Sequence, residues 1–520
     1  MRYRSWLTVV TVIGVFILLL DLILIPHLIP SPRPPVGDAN PPATGGSSSP
    51  NPTPDQPQVW VNADTSPFSI RGIVEGFYGT PWTQDKRLDA LTFMGRVGMN
   101  TYVYAPKDDT YERADWRKLY PLADLDHFRA LLDQAGKTGI NFVYSISPGL
   151  NITYSSADDR RALAAKVDQM RVLGIHTFML AVDDVPEKLS PDDAVVYGQD
   201  FARAQADLAN WLRYTEEAQD PDFRLWMTPS HYSGTGVDPY LTTLGDRLDP
   251  GIQILWTGPQ VLSSQITPGD ADAFASDVGR RPIIWDNYPV NDYTYVQDNK
   301  PRLNLGPLRG RSSDLAGHVA GYLLNPMEQE KASQLPLYTA AAYLADPAAY
   351  DPDLAWLDAA KHLANNGDAG AQALIDFASY SQYSMLNHVE APELAQALSG
   401  YWSDGAPAAP ATPDADGLRQ LFTAMIGLPS RLAAALPTDF YDEVSPWVTS
   451  LHDKGEAGLS ALQIDLAVGQ NDAPQVKAGL DQLQRVQNDV RNEDASAYIG
   501  GMYVEDFLAK VIDRARPLAG

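Results

Sequence analysis

Thr177-Phe-Met-Leu-Ala-Val-Asp-Asp-Val185 closes an apolar run with two consecutive carboxylates. Phe178–Val182 is apolar throughout, so the ionisable pair at its end is not core material. The run is one of a series. Ile70–Val74, Thr101–Ala105, Asn141–Ile146, Thr177–Val182, Arg224–Met227, Ile252–Trp256, Pro282–Trp285 and Gly321–Leu324 are all short and β-rich. Between them lie longer stretches with apolar residues at helical spacing, such as Asp85–Val97, Leu125–Lys137, Ala157–Leu173 and Ala194–Tyr214. Strands alternating with helices imply parallel strands joined by right-handed crossovers, and eight such units close a (β/α)8 TIM barrel over residues 66–330. A doubly wound open sheet is the rival, but it has fewer strands as a rule, and the chain carries no GxGxxG or Walker-type loop.

Outward from the barrel the composition changes. Past about Glu330 the β-rich runs cease. Residues 331–520 read as an all-α helical bundle, with helices at Ala355–Ala364, Gly417–Ala435, Glu456–Val468, Val476–Val490 and Tyr503–Arg516, and a loop at Gly405–Asp416. Upstream, residues 30–65 are dominated by Pro, Ser, Gly and Asn and read as a linker too poor in apolar surface to order itself. Residues 1–29 place Arg2 and Arg4 before the apolar run Trp6–Leu20, with a second such stretch at Leu22–Ile29. That pattern, without a small-residue cleavage site, is expected to be an uncleaved membrane anchor or a secretory signal, with the rest of the chain outside the cytoplasm.

Composition narrows the partners. The 520 residues hold 39 Lys plus Arg against 65 Asp plus Glu, a formal net charge of -26. Such a surface repels phosphate backbones, which disfavours nucleic acid. There are no cysteines, which excludes disulfides, thiolate nucleophiles and Cys-ligated metals. The eight histidines are scattered, with no pair at metal-ligand spacing, so neither a catalytic metal nor a cofactor is expected.

Barrel active sites gather where strands end at their C-termini. Those ends supply Gly76 and Tyr78, Lys107 and Asp108, Asp183 and Asp184, Tyr232, Trp256 and Thr257, Trp285, Asn287 and Asp292, and Asn325. Aromatic faces stack on pyranose C–H groups while amides and carboxylates bind hydroxyls in pairs, so the inventory describes a sugar pocket. Neighbouring carboxylates are expected to raise each other's pKa, leaving one protonated as an acid and the other charged, which suits glycosidic cleavage. Plainer readings stand beside each residue. Asp-Asp pairs also occur at 108, 158 and 192, and such pairs commonly cap helices. Lys107 could be solvated, Trp256 and Trp285 could fill the barrel, and Asn287, Asp292 and Asn325 could form turns.

The motifs themselves carry a family likeness. Gly72-Ile-Val-Glu-Gly-Phe-Tyr-Gly-Thr-Pro-Trp82, Asn100-Thr-Tyr-Val-Tyr-Ala-Pro-Lys-Asp-Asp109, Ser147-Pro-Gly-Leu-Asn-Ile-Thr153, Val182-Asp-Asp-Val185, Trp256-Thr-Gly-Pro259, Ile284-Trp-Asp-Asn-Tyr-Pro-Val-Asn-Asp292 and Leu324-Asn-Pro326 resemble glycoside hydrolase family 84, the β-N-acetylglucosaminidases that include protein O-GlcNAcases. The resemblance implies a retaining exo-enzyme acting on GlcNAc-terminated glycans or glycoproteins, in which the sugar's own acetamido oxygen displaces the aglycone and forms an oxazoline. It implies Asp183 as the residue that orients the acetamido N–H and Asp184 as the acid, then base. Gly76, Lys107, Asn287, Asp292 and Asn325 would bind hydroxyls, and Tyr232 and Trp285 would wall the acetamido pocket. It leaves open a homodimer, since in some relatives an aglycone groove is completed across a dimer. Three rivals follow from the same residues: an endo-acting hyaluronidase-like enzyme, a non-catalytic glycan-binding protein, and a metal-dependent deacetylase, which lacks its His-x3-His partner here.

Overall fold

The structure, a computed structural model, describes residues 58–296, 299–402, 407 and 412–519. The expected anchor at 1–29, most of the expected linker and part of the Gly405–Asp416 loop lie outside the described residues. Eight parallel strands form a closed barrel in chain order: β1 Arg71–Glu75, β2 Thr101–Tyr104, β3 Asn141–Ile146, β4 Thr177–Ala181, β5 Arg224–Thr228, β6 Gln253–Trp256, β7 Ile283–Asp286 and β8 Gly321–Leu324. Closure is made by β8 pairing with β1, Leu324 opposite Ile73.

Alternation along each strand splits the apolar residues into two cores. In β4, Phe178 and Leu180 face the helices, whereas Met179 and Ala181 join Val74, Val103, Val143, Trp226, Leu255, Ile283, Trp285 and Leu323 inside the barrel. The interior is therefore packed, and only its mouth is available for chemistry.

The outer ring is α1 Gln84–Arg96, α2 Leu122–Thr138, α3 Ala157–Arg171, α4 Pro191–Tyr197, α5 Phe201–Glu217, α6 Pro239–Arg247, α7 Pro268–Val278, the short α8 Asp292–Val296 and α9 Glu330–Ala345. Several begin at side-chain caps. Ser156 accepts from the Asp159 N–H, Ser190 from that of Asp193, and Thr267 forms a reciprocal box with Asp270. The single helix expected over Ala194–Tyr214 is two helices, because Gly198 at φ 65 ends α4 and Asp200 caps α5.

Where the linker was expected to run to residue 65, the chain is already packed from Trp60. Its backbone N–H donates to the Arg96 carbonyl at 2.7 Å, and its ring rests against Phe93, Tyr338 and His362 beneath the Arg96 guanidinium. One aromatic with a ready cleft supplies the burial that the polar residues around it cannot.

Helices α10 Pro352–Leu363, α11 Gly367–Ser379, α12 Pro392–Tyr401, α13 Pro413–Ala435, α14 Thr438–Gly469, α15 Ala473–Glu493 and α16 Tyr503–Ala519 follow. Barrel and helices belong to one compact unit, Pro57–Gly520. Two polar ties seat α14 on it: the Glu443 carboxylate accepts from the Glu330 and Ala332 N–H groups that open α9, and the Trp447 indole donates to the Pro301 carbonyl.

Candidate active site

Consecutive residues at the end of β4 send their carboxylates to different partners. The Asp183 side chain is buried and one oxygen, Oδ2, accepts from the Lys107 ammonium, itself buried. Its second oxygen, Oδ1, is buried with no hydrogen-bond partner among the described residues. Asp184 adopts φ 49, in the left-handed region that Asp tolerates better than most residues, and turns the other way. Its Oδ2 accepts from the Tyr78 hydroxyl at 2.6 Å and its Oδ1 from the Tyr232 hydroxyl at 2.7 Å. The Arg113 guanidinium holds the Asp184 carbonyl at 3.2 Å and donates to the Tyr78 oxygen at 3.3 Å.

Around this pair the other strand ends interlock. Gly76 donates its N–H to Asn325 Oδ1 at 3.2 Å. Asn325 Nδ2 and Trp285 Nε1 both donate to Asn287 Oδ1 at 3.0 Å, and Asn287 Nδ2 donates to the Val261 carbonyl. The Lys107 ammonium lies 5.5 Å from the Trp285 ring centroid and 5.9 Å from that of Tyr78. Asp292 accepts the Tyr78 N–H at 2.9 Å. The structure thus brings Gly76, Lys107, Asp183, Asp184, Tyr232, Trp285, Asn287, Asp292 and Asn325 into one constellation joined by hydrogen bonds and by the Lys107 ammonium beside the Trp285 and Tyr78 rings. Trp256, the other aromatic at a strand end, lies outside it. Its ring is buried against Phe274 and its N–H goes to the Gly234 carbonyl, so it is filler between strand and helix.

Electrostatics differ from the expectation for adjacent carboxylates. Burial pushes the Asp184 carboxyl up, but the Lys107 charge, the Tyr78 and Tyr232 hydroxyls and Arg113 together outweigh it and hold the group below the usual carboxylate range. Asp184 is therefore ionised at neutral pH. Two phenol donors bonded to the carboxylate and the charges of Lys107 and Arg113 favour the ionised form. Asp292 behaves oppositely. Burial raises it to about 6, against the lowering effect of the Tyr78 and Tyr293 N–H groups.

Three participants were not among the expected site residues. Arg113 lies six residues past Lys107 on the same loop, and nothing in its sequence neighbourhood marks it as turned inward. Tyr78 was noted at a strand end, but its hydrogen bond to Asp184 depends on the closed barrel bringing the ends of β1 and β4 together across its mouth. Glu112 is buried beside them, accepting from Ser145 Oγ at 2.8 Å, and burial lifts its carboxyl to about 7.

Comparison with known proteins agrees with the geometry. A family described as beta-N-acetylglucosaminidase matches residues 71–379, and one described as hyaluronidase post-catalytic domain-like matches residues 393–500. The Protein O-GlcNAcase of Mus musculus is 35% identical over 324 residues, covering 59% of this chain and 34% of that protein. The Rattus norvegicus Protein O-GlcNAcase is 37% identical over 279 residues, covering 52% and 29%. This chain thus spans about a third of the length of those mammalian relatives. Among solved structures, a variant of the Thermobaculum terrenum O-GlcNAc hydrolase superposes with a TM-score of 0.80 at 31% identity, covering 87% of this chain and 96% of that one.

Proposed function

The chain belongs to the beta-N-acetylglucosaminidase family, glycoside hydrolase family 84, and from that premise we propose that it is an exo-acting hydrolase removing terminal GlcNAc from glycoconjugates. The observation that carries the proposal is Asp183 Oδ1, a buried carboxylate oxygen without a donor beside Lys107. Leaving such an acceptor unmade costs on the order of 1–3 kcal/mol or more, which a ligand N–H can recover. The acetamido N–H of GlcNAc is a donor of the right kind. Accepting it, Asp183 orients the acetamido oxygen toward the anomeric carbon and stabilises the positive charge that develops as the oxazoline forms. That interaction is stronger in the transition state than in the ground state.

Asp184 protonates the departing oxygen and afterwards takes a proton from water. A carboxylate held below the usual range can still do this once substrate binds. A sugar filling the pocket expels water and strengthens desolvation, the influence that already pushes Asp184 upward. Trp285 and Tyr232 wall the acetamido group, while Gly76, Lys107, Asn325 and Asp292 bind hydroxyls, with Asp292 serving the 4- and 6-positions. Asn287 spends its carbonyl on Trp285 and Asn325 and so acts mainly by holding them.

The test is hydrolysis of 4-nitrophenyl β-N-acetylglucosaminide by the wild type, followed by two variants against leaving groups of graded acidity. Asp184→Asn should lose about 10²–10⁴-fold on poor leaving groups and far less on activated aryl ones. Asp183→Asn should lose on both alike. Equal losses across leaving groups for Asp184→Asn would remove the acid assignment.

The similarity of residues 393–500 to a hyaluronidase post-catalytic domain keeps an endo-acting reading in view, although the net charge of -26 disfavours a polyanionic substrate. Digested hyaluronan that shortens without free GlcNAc would favour it. Natural substrates outside the cytoplasm follow if residues 1–29 serve as anchor or export signal. Among the described residues no helix is long and apolar enough to cross a membrane.

A further inference from the structure

The loop that carries Asp183 and Asp184 is tied to the next strand end at two points. At its start, Ser230 Oγ donates to the Val182 carbonyl at 2.6 Å. At its far side stands His231, neighbour of the tyrosine that bonds Asp184. His231 Nδ1 lies 2.6 Å from Asp238 Oδ2, and Nε2 lies 2.8 Å from Glu187 Oε1. Both partners are carboxylates, which only accept. A neutral imidazole has one N–H and can satisfy one of them, whereas an imidazolium satisfies both.

We propose that His231 is a positioning residue, a cationic clasp that joins Glu187 to Asp238 and so holds the Asp183–Asp184 loop against Tyr232. The proposal rests on the assignment of Asp184 as the acid. The two sides of the clasp differ in rigidity. Asp238 is fixed from several directions: its Oδ1 caps α6 through the Tyr240 and Leu241 N–H groups, and its own N–H donates to Asp277 on α7. Glu187 is held by nothing else that the structure records, and its side chain is 56% exposed. Loss of one N–H would therefore free the Glu187 side, three residues from Asp184.

The other groups around the ring favour its charge. Tyr240 lies against it with centroids 4.3 Å apart, and Asp277 backs Asp238. Asp184 adds a negative charge on the far side of Tyr232. Burial disfavours the imidazolium, but the hydrogen bonds and charges of Asp238 and Glu187 outweigh it and raise the group above the ordinary histidine value. A group so raised is charged below its folded pKa and loses its proton as pH climbs through it. The clasp is thus closed below that raised pKa and opens as pH climbs through it.

The Asp184 titration must be removed for this to be seen in kinetics, so the experiment uses the full chain with Asp184→Asn and the activated 4-nitrophenyl substrate. Selectively ¹⁵N-histidine-labelled wild type should show His231 titrating above the ordinary histidine value, with both nitrogens protonated below that pH. In the Asp184→Asn enzyme kcat/KM should fall on the alkaline side as His231 loses its proton, at a pH somewhat below the wild-type titration because the Asp184 charge is gone. Adding His231→Gln should abolish that fall and leave a flat rate roughly tenfold lower, the loss expected from about 1.4 kcal/mol of misplacement. Glu187→Gln, at an exposed position, should shift the fall to lower pH without changing the melting temperature. A His231 titrating at or below the ordinary histidine value, or an alkaline fall that survives His231→Gln, would overturn the clasp. Wild type inactive on the aryl substrate would instead remove the proposed function, leaving the ¹⁵N result to judge the clasp alone.

Discussion

Replacing Gly76 with alanine adds one carbon at the most crowded point of the pocket. A Cβ built there would meet Trp285 Cζ2 at 2.2 Å and Cη2 at 2.7 Å. Ordinary contact begins near 3.4 Å, so ring and backbone must part by roughly 1.2 Å. Trp285 is 4% exposed and its N–H is bonded to Asn287, which also holds Asn325, so the ring cannot swing into solvent. The displacement passes into the wall of the acetamido pocket. Misplacing a reacting group by about 1 Å costs about 10²-fold, or about 2.7 kcal/mol in transition-state stabilisation. The loss should fall mainly on kcat, because the acetamido oxygen still enters but no longer lines up with the anomeric carbon. Steady-state kinetics on 4-nitrophenyl β-N-acetylglucosaminide would measure it. A parallel denaturant titration should show an overpacking cost of about 1–3 kcal/mol. Trp285→Phe supplies the control. With the smaller ring, Gly76→Ala should cost less than in the wild type, giving a coupling of at least about 1 kcal/mol in a double-mutant cycle. Wild-type kcat/KM within about threefold for Gly76→Ala, or strictly additive losses, would refute the steric argument.

The remaining predictions concern charge. Lys107→Met leaves the buried Asp183 carboxylate unpaired and should cost about 3–5 kcal/mol by denaturant unfolding; a loss under about 1 kcal/mol would mean the pair is more solvated than its exposures of 4% and 6% imply. Tyr78→Phe removes a hydrogen bond that lowers the Asp184 pKa, so the alkaline limb of kcat/KM should move to higher pH; an unmoved limb would count against the assignment. Asp292 has its carboxyl raised to about 6, so its ionised form opposes folding above that pH and the cost fades as pH falls toward its unfolded value. Asp292→Asn should therefore raise the melting temperature at neutral pH, with the gain shrinking toward pH about 4, while KM for the aryl substrate increases; a melting temperature lowered at neutral pH would contradict the sign.

Much of this was legible in the chain itself. Eight apolar runs at irregular spacing were enough to place the strands within a residue or two, because a buried parallel strand has no polar face to blur its limits. The barrel then dictates that residues just past each run share one mouth, which is why Lys107 and Asp183, 76 positions apart, could be grouped before any distance was known. What the chain could not reveal was direction and neighbourhood. Adjacent Asp183 and Asp184 look alike in one dimension. The left-handed turn at Asp184 gives one a lysine and the other two tyrosines, and those partners help hold Asp184 ionised. Arg113, Glu112 and His231 carry no pattern of their own. Their roles arise from side chains that closure of the barrel brings near, and electrostatic energy depends on that separation in space rather than on separation along the chain.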